Sequence, residues 1–146
     1  MKQLFLLLIA GSVLLLAATK SFAEEYHGEF CWQVFSESGE AYWRYKLGIY
    51  EKEGGHLALY GSIDYGPNGI SAAHGNAVHI GDSIKLTINS ADYEEGTEVW
   101  AETFAAKLNK STLNGTWNAL TLEIFEEENE VSSVYQRGAI NLISCQ

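Results

Sequence analysis

The residues able to do chemistry are few in type: two cysteines, Cys31 and Cys145, four histidines, His27, His56, His74 and His79, and 19 acidic side chains. The cysteines lie far apart, and neither has a nearby Cys or His pair, so the spacing of a tetrahedral zinc site is missing. In an oxidising compartment such a pair reads as a disulfide, and in a reducing one as two free thiols. His74 and His79 differ by an odd number, which puts them on opposite faces of a regular strand. Three or four ligands converge in a metal site, so none is expected, and His74 reads as a rim residue or an ordinary hydrogen-bonding group. The acidic run 126–130 lacks the Asp/Asn alternation and the glycine of a calcium loop and reads as a solvated turn. There is no Gly-x-Ser-x-Gly elbow, no His-Glu-x-x-His, no phosphate loop and no cysteine placed as a nucleophile. Carboxylates are abundant, but abundance without spacing is not a catalytic signal. The expectation is no catalytic residue, no cofactor and no enzymatic role. A glutamate pair across one end of the domain stays open as the remaining enzymatic reading.

The elements that position these residues follow from periodicity. After residue 23 no long stretch repeats at helical spacing; apolar residues alternate instead, between turns rich in Gly, Asn, Asp and Ser. Trp43, Tyr45, Leu47 and Ile49 share a face with Ala41, opposite Tyr42, Arg44, Lys46 and Tyr50. Leu57, Leu59, Gly61 and Ile63 form a second such face, and Ile84, Leu86 and Ile88 a third. Gly66-Pro67-Asn68-Gly69 is a turn cluster, and Gly81-Asp82 has the length and chemistry of a tight hairpin. The pattern predicts about eight strands, over 28–36, 41–52, 56–65, 71–80, 83–93, 97–108, 115–125 and 131–145. Short links favour antiparallel neighbours, and eight strands that close on themselves expose no edge. The predicted fold is therefore all-β, an eight-stranded antiparallel up-and-down barrel. An open sandwich is the alternative, though few stretches are long enough to cross between sheets. An outer-membrane barrel needs an apolar outer wall, whereas Arg44, Lys46, Asp64, Lys85 and Asn89 fall on the polar faces.

The first 23 residues read differently. Lys2 precedes an apolar run over 4–16, and Ser21-Phe22-Ala23 offers small residues before a cut, which is the order of a signal peptide. The run is short of the roughly 20 residues that span a bilayer. The expectation is a signal peptide over 1–23 and one domain over 24–146, exported to the periplasm or the extracellular space and not membrane-spanning after cleavage. Removing 1–23 takes away Lys2, Lys20 and no acid, so the net charge falls from −10 to −12. Such a field repels phosphate backbones and anionic lipid, so nucleic acid is not an expected partner. Asn109-Lys110-Ser111 and Asn114-Gly115-Thr116 match the glycosylation sequon, relevant only in a host that glycosylates exported proteins.

Strand parity then sorts the candidate site. Phe30, Trp32 and Val34 form the apolar set of the first strand, and Ile140 and Leu142 that of the last. Cys31 and Cys145 both point away from those sets, so pairing of the first and last strands brings the two sulfurs to one side of the seam. The inward set is large and aromatic: Trp43, Tyr45, Leu57, Leu59, Ile63, Val78, Ile84, Leu86, Trp100 and Phe104. It forms either a packed core or the wall of an apolar pocket with a few polar anchors. Glu98 and Glu102 share parity with Trp100 and Phe104, yet Val99, Ala101 and Ala105 also make a tolerable inner face. An inward carboxylate is costly unless it is paired or wet. The candidate lumen residues are Trp43, Tyr45, Leu59, Trp100, Glu102 and Phe104.

The tripeptide Gly115-Thr116-Trp117 resembles the Gly-x-Trp of calycins, the group of lipocalins, avidins and fatty-acid-binding proteins. In lipocalins and avidins it sits on the first strand; here it falls near the seventh. The resemblance implies a cup-shaped barrel able to hold a small apolar molecule, and it carries no ligand-binding residue across. The expected function is binding of a small, largely apolar ligand. The alternative is a structural or protein-interaction domain with a filled core and an acidic surface.

Overall fold

The structure, a computed structural model, describes residues 24–52, 54–94, 98–125 and 130–145. The expected signal peptide and the acidic turn 126–129 lie outside the described residues. Alternation resolves into eight strands: β1 (Glu25–Ser36), β2 (Ala41–Lys52), β3 (His56–Asp64), β4 (Ile70–Ile80), β5 (Ser83–Glu94), β6 (Glu98–Asn109), β7 (Gly115–Phe125) and β8 (Glu130–Ile143). Each strand is hydrogen-bonded to the next, and β1 to β8, so the sheet closes into a barrel. All eight pairings are antiparallel. A 3-10 turn at Gly66–Asn68, with Pro67 in its first turn, joins β3 to β4. Gly81, with φ +57°, and Asp82 join β4 to β5 as a two-residue turn between the paired Ile80 and Ser83. Among the described residues no helix is long and apolar enough to cross a membrane.

Side chains fill the lumen below one end. Trp32, Tyr45, Leu47, Leu59, Ile63, Ile88, Phe104 and Leu108 are all fully buried. An aromatic column runs through the middle. Tyr45 and Phe104 lie 4.8 Å apart, Phe104 stacks on Trp117 at 5.3 Å and 15°, and Trp117 meets the edge of Trp43 at 5.3 Å. Such pairs are attractive beyond the area they bury. Strand β4 faces this column with small residues only, Ser71, Ala73, Gly75 and Ala77. Val78 therefore corrects the sequence expectation: it is 37% exposed and stands on the outer wall opposite Lys85. Volume across the lumen overrides the apolar character of one side chain, because the aromatic rings leave room only for small residues on β4. Ala41 is a second correction. Alternation puts it with Trp43, but a register shift between Gln33 and Phe35 leaves it exposed opposite Phe35.

Four inward glycines, Gly61, Gly75, Gly115 and Gly138, let the sheet bend this tightly. A Cβ on Gly75 would stand 2.0 Å from the Thr87 carbonyl oxygen, and one on Gly115 1.9 Å from that of Lys107. The strands cross too closely there for any side chain, which is how glycine kinks curve a barrel. Gly115 thus has a role of its own in the Gly-x-Trp tripeptide, and Trp117 has another: its indole Nε1 donates to the Phe35 carbonyl at 2.8 Å. Trp32 Nε1 donates to the Leu113 carbonyl at 3.0 Å. That bond ties the β6–β7 connection under the barrel.

Cys31 and Cys145 form a disulfide across the β1–β8 seam. Cys31 is in register with Ile143 and Cys145 follows two residues later, so both sulfurs lie on the outer side, as strand parity requires. The outer wall carries exposed ion pairs, Lys46 with Glu29 at 3.1 Å and Arg137 with Glu37 at 2.8 Å. Arg44, Lys85 and Lys107 are exposed on the same wall. A lipid-facing band excludes charges at such positions.

Candidate functional site

The two ends of the barrel differ. At the end bearing the β2–β3, β4–β5 and β6–β7 connections, Trp32, Leu57 and Leu108 are buried with Phe30, Ile49 and Ile84 packed against them. At the other end the inward positions turn polar, and a cup of about 700 Å³ opens there. Register explains how. The inward alternation that gives Leu86 and Ile88 on β5 continues to Ser90 and Asp92, and Trp117 and Ala119 on β7 lead to Thr121 and Glu123. Ser90, Glu102 and Thr121 are cross-strand partners in one tier, and Asp92, Trp100 and Glu123 in the tier above.

Three aromatic rings form one wall. Trp43 lies 6.0 Å from Tyr65, and Tyr65 meets Trp100 edge-on at 5.4 Å. Trp43 is positioned by the register shift in β2. The Gln33 amide donates to the Trp43 carbonyl at 3.1 Å, and Gln33 Oε1 accepts from Arg44 Nε at 2.9 Å. One outer-wall side chain thereby holds the strand on which the inward ring stands.

Glu102 lies at the floor, only 5% exposed. Its Oε1 accepts from the Tyr45 hydroxyl at 3.1 Å, and its Oε2 accepts from Thr121 at 3.4 Å. Burial raises the Glu102 pKa above the usual carboxylate value, and the two hydroxyl donors offset only part of that. Burial, then the charge of Glu102, also raises the Tyr45 and Tyr65 phenols. Higher in the cup, Glu123 accepts from the Ser132 hydroxyl at 3.0 Å and Asp92 from that of Ser71. Trp43 Nε1 and the Tyr65 and Ser90 hydroxyls are buried without a well-formed hydrogen bond. Buried polar groups left this way are uncommon in native interiors.

The residues expected from sequence divide between floor and cup. Trp43, Trp100 and Glu102 line the cup. Tyr45 lies beneath it, bonded to Glu102. Leu59 and Phe104 belong to the packed interior below. Of the two admissible parities for β6, the one with Trp100, Glu102 and Phe104 inside is adopted, and Ala101 is exposed. The Glu98 side chain lies outside the described residues. Sequence reasoning missed Tyr65, Ser71, Asp92, Thr121, Glu123 and Gln136. The signal for Tyr65, Asp92 and Gln136 was present, since they continue the inward alternations read on β3, β5 and β8, but polar residues near strand ends read as turn flanks. Ser71 has the parity opposite to Val78, and β7 has no inward face assigned from sequence.

His74 is exposed on the outer wall beside Tyr60, and His27 bonds Glu51 at 2.8 Å. Among the described residues no three His, Cys, Asp or Glu side chains converge as a metal-ligand set. A second depression, of about 670 Å³, lies over the β1–β8 seam on the outer wall, where Arg137 and Glu37 already neutralise each other. No protein-family model, no curated protein and no solved structure matches this chain.

Proposed function

We propose that this chain is an exported, non-enzymatic binding protein of calycin-like design that takes one small molecule in the cup. The observation that carries the reading is the cup itself: about 700 Å³, walled by Trp43, Tyr65 and Trp100 and floored by a buried carboxylate. Concave sites of this size are the usual form of small-molecule sites, and here three rings face a largely polar lining that includes Ser71, Glu102, Thr121 and Gln136. The disulfide is compatible with export. The ligand is less apolar than the sequence suggests. Tyr45, Phe104 and Trp117 fill the lumen below, so only the polar end is left to receive it. It lays an apolar face on the three rings and turns polar groups toward Glu102, Thr121 and Gln136.

Native mass spectrometry of protein purified from its own host tests this. A co-purifying molecule, lost when Trp100→Ala opens the wall, is the expected result. Ligand-free protein from repeated preparations, unchanged by that substitution, would favour the alternative of an interaction domain. One feature supports that alternative: Leu120, Leu122, Ile124, Val131 and Tyr135 are exposed on the outer wall of β7 and β8. Exposed apolar groups that adjoin one another mark interaction surfaces.

A further inference from the structure

We infer that the ligand of the cup is a small organic cation, an ammonium group on an apolar body, with Glu102 as its counter-charge and Trp43, Tyr65 and Trp100 as its wall. This rests on the small-molecule reading above and adds the chemical class. The charged side chains among the described lining residues of the cup are Asp92, Glu102 and Glu123, with no Lys, Arg or His among them. Glu102 and Glu123 are held by hydroxyl donors, Tyr45, Thr121 and Ser132, which satisfy lone pairs without neutralising charge. The nearest basic side chains by sequence, Arg44 and Arg137, stand on the outer wall bonded to Gln33 and Glu37.

A buried carboxylate without a cation is unfavourable, and an ammonium is the partner that corrects it. Glu102 lines the cup, and among the described residues its Oε2 accepts only a long bond, from Thr121 at 3.4 Å, so a stronger donor can take its place. The aromatic wall suits the same ligand. Ring faces attract cations within about 6 Å, more strongly where water is excluded. The carboxylates do not converge as metal ligands do, so the negative charge is spread over the cup to match a molecule rather than a point ion. Burial also holds the Glu102 pKa high, and a bound ammonium would lower it. Binding near the Glu102 transition therefore releases a proton, and affinity falls as pH falls through it. The titratable groups that face Glu102 are Tyr45, Tyr65, Asp92 and Glu123, and both phenols stay neutral across that range.

The test uses three probes of one shape: 2-phenylethylamine, neutral 2-phenylethanol and anionic 3-phenylpropanoate. Binding to the full mature chain is followed by tryptophan fluorescence and calorimetry. The amine is expected to bind at least tenfold tighter than the alcohol, and the carboxylate not at all. Glu102→Gln keeps the shape and the Tyr45 bond, so it is expected to fold and to bind amine and alcohol alike. If the alcohol matches the amine in the parent chain, the cation assignment fails while the small-molecule reading stands. If the amine preference survives in Glu102→Gln, attraction to the acidic surface explains it and the counter-charge assignment fails. If none of the three binds at millimolar concentration, both readings fail.

Discussion

The Tyr45 hydroxyl donates to Glu102 Oε1 at 3.1 Å, joining the top of the filled lumen to the floor of the open cup. Tyr45 is fully buried between β2 and the Phe104 ring, so the bond has little freedom to move. It orients a carboxylate that the surrounding interior disfavours.

Glu102→Gln is accordingly expected to stabilise the free protein at neutral pH. Burial raises the Glu102 pKa in the folded state above its unfolded value. Its favourable contribution is fully present below the unfolded pKa and is lost as pH rises through the folded one. Above the folded-state transition the parent therefore carries an ionised, desolvated group that the amide does not. Melting temperatures of the two proteins, compared at pH 7 and near pH 4, check the sign. The variant should melt higher at pH 7, and the gap should shrink on acidification. A constant gap would place the effect in packing instead.

How far the sequence determines this arrangement varies by residue. Leu57, Leu59 and Ile63 on β3 alternate cleanly, and their burial follows from local pattern alone. The seam is legible too, because Cys31 and Cys145 oppose the apolar parity of Trp32 and Ile140. Val78 is different. Its place outside is set by rings that belong to β2, β6 and β7, and no local window contains them. Glu102 is ambiguous for the same reason: its two hydroxyl partners, Tyr45 and Thr121, lie 57 and 19 residues away. Trp43 turns inward while Ala41 does not, because the register shift opposite Gln33 breaks the alternation. Contacts distant in sequence decide these cases, and the cup is built mostly from them.

Trp117→Phe separates the two roles of that ring. Phenylalanine can still stack on Phe104, but the bond from Nε1 to the Phe35 carbonyl is lost. The bond is part-buried, and a hydrogen bond of this kind contributes about 0.5–1.5 kcal/mol net. Urea unfolding should show a loss of that size with an unchanged slope. No loss would mean that water replaces the indole.

Gly75→Ala tests the bend. The new methyl would meet the Thr87 carbonyl oxygen at 2.0 Å, a backbone atom that cannot rotate away. Overpacking typically costs about 1–3 kcal/mol, and a backbone collision lies at the upper end or beyond. Lower denaturation midpoints, or a failure to accumulate folded protein, are expected. Parent-like stability would show that β4 and β5 can separate at this point without loss.

The disulfide is expected to act through the unfolded chain. It spans 114 residues of sequence, and closing so long a loop stabilises by about 4–5 kcal/mol in the chain-entropy model, less where native geometry is strained. The barrel keeps its β1–β8 hydrogen bonds without it, from Cys31 opposite Ile143 to Ser36 opposite Gly138. A paired Cys31→Ser, Cys145→Ser variant should therefore fold to the same barrel with a lower melting temperature. Its refolding after dilution from denaturant should also be slower if seam closure limits the rate, since strands at opposite ends of the chain must meet without a tether. Matching circular dichroism spectra with a reduced midpoint are the expected pair of results. An unfolded variant would show that the seam hydrogen bonds cannot close the barrel alone.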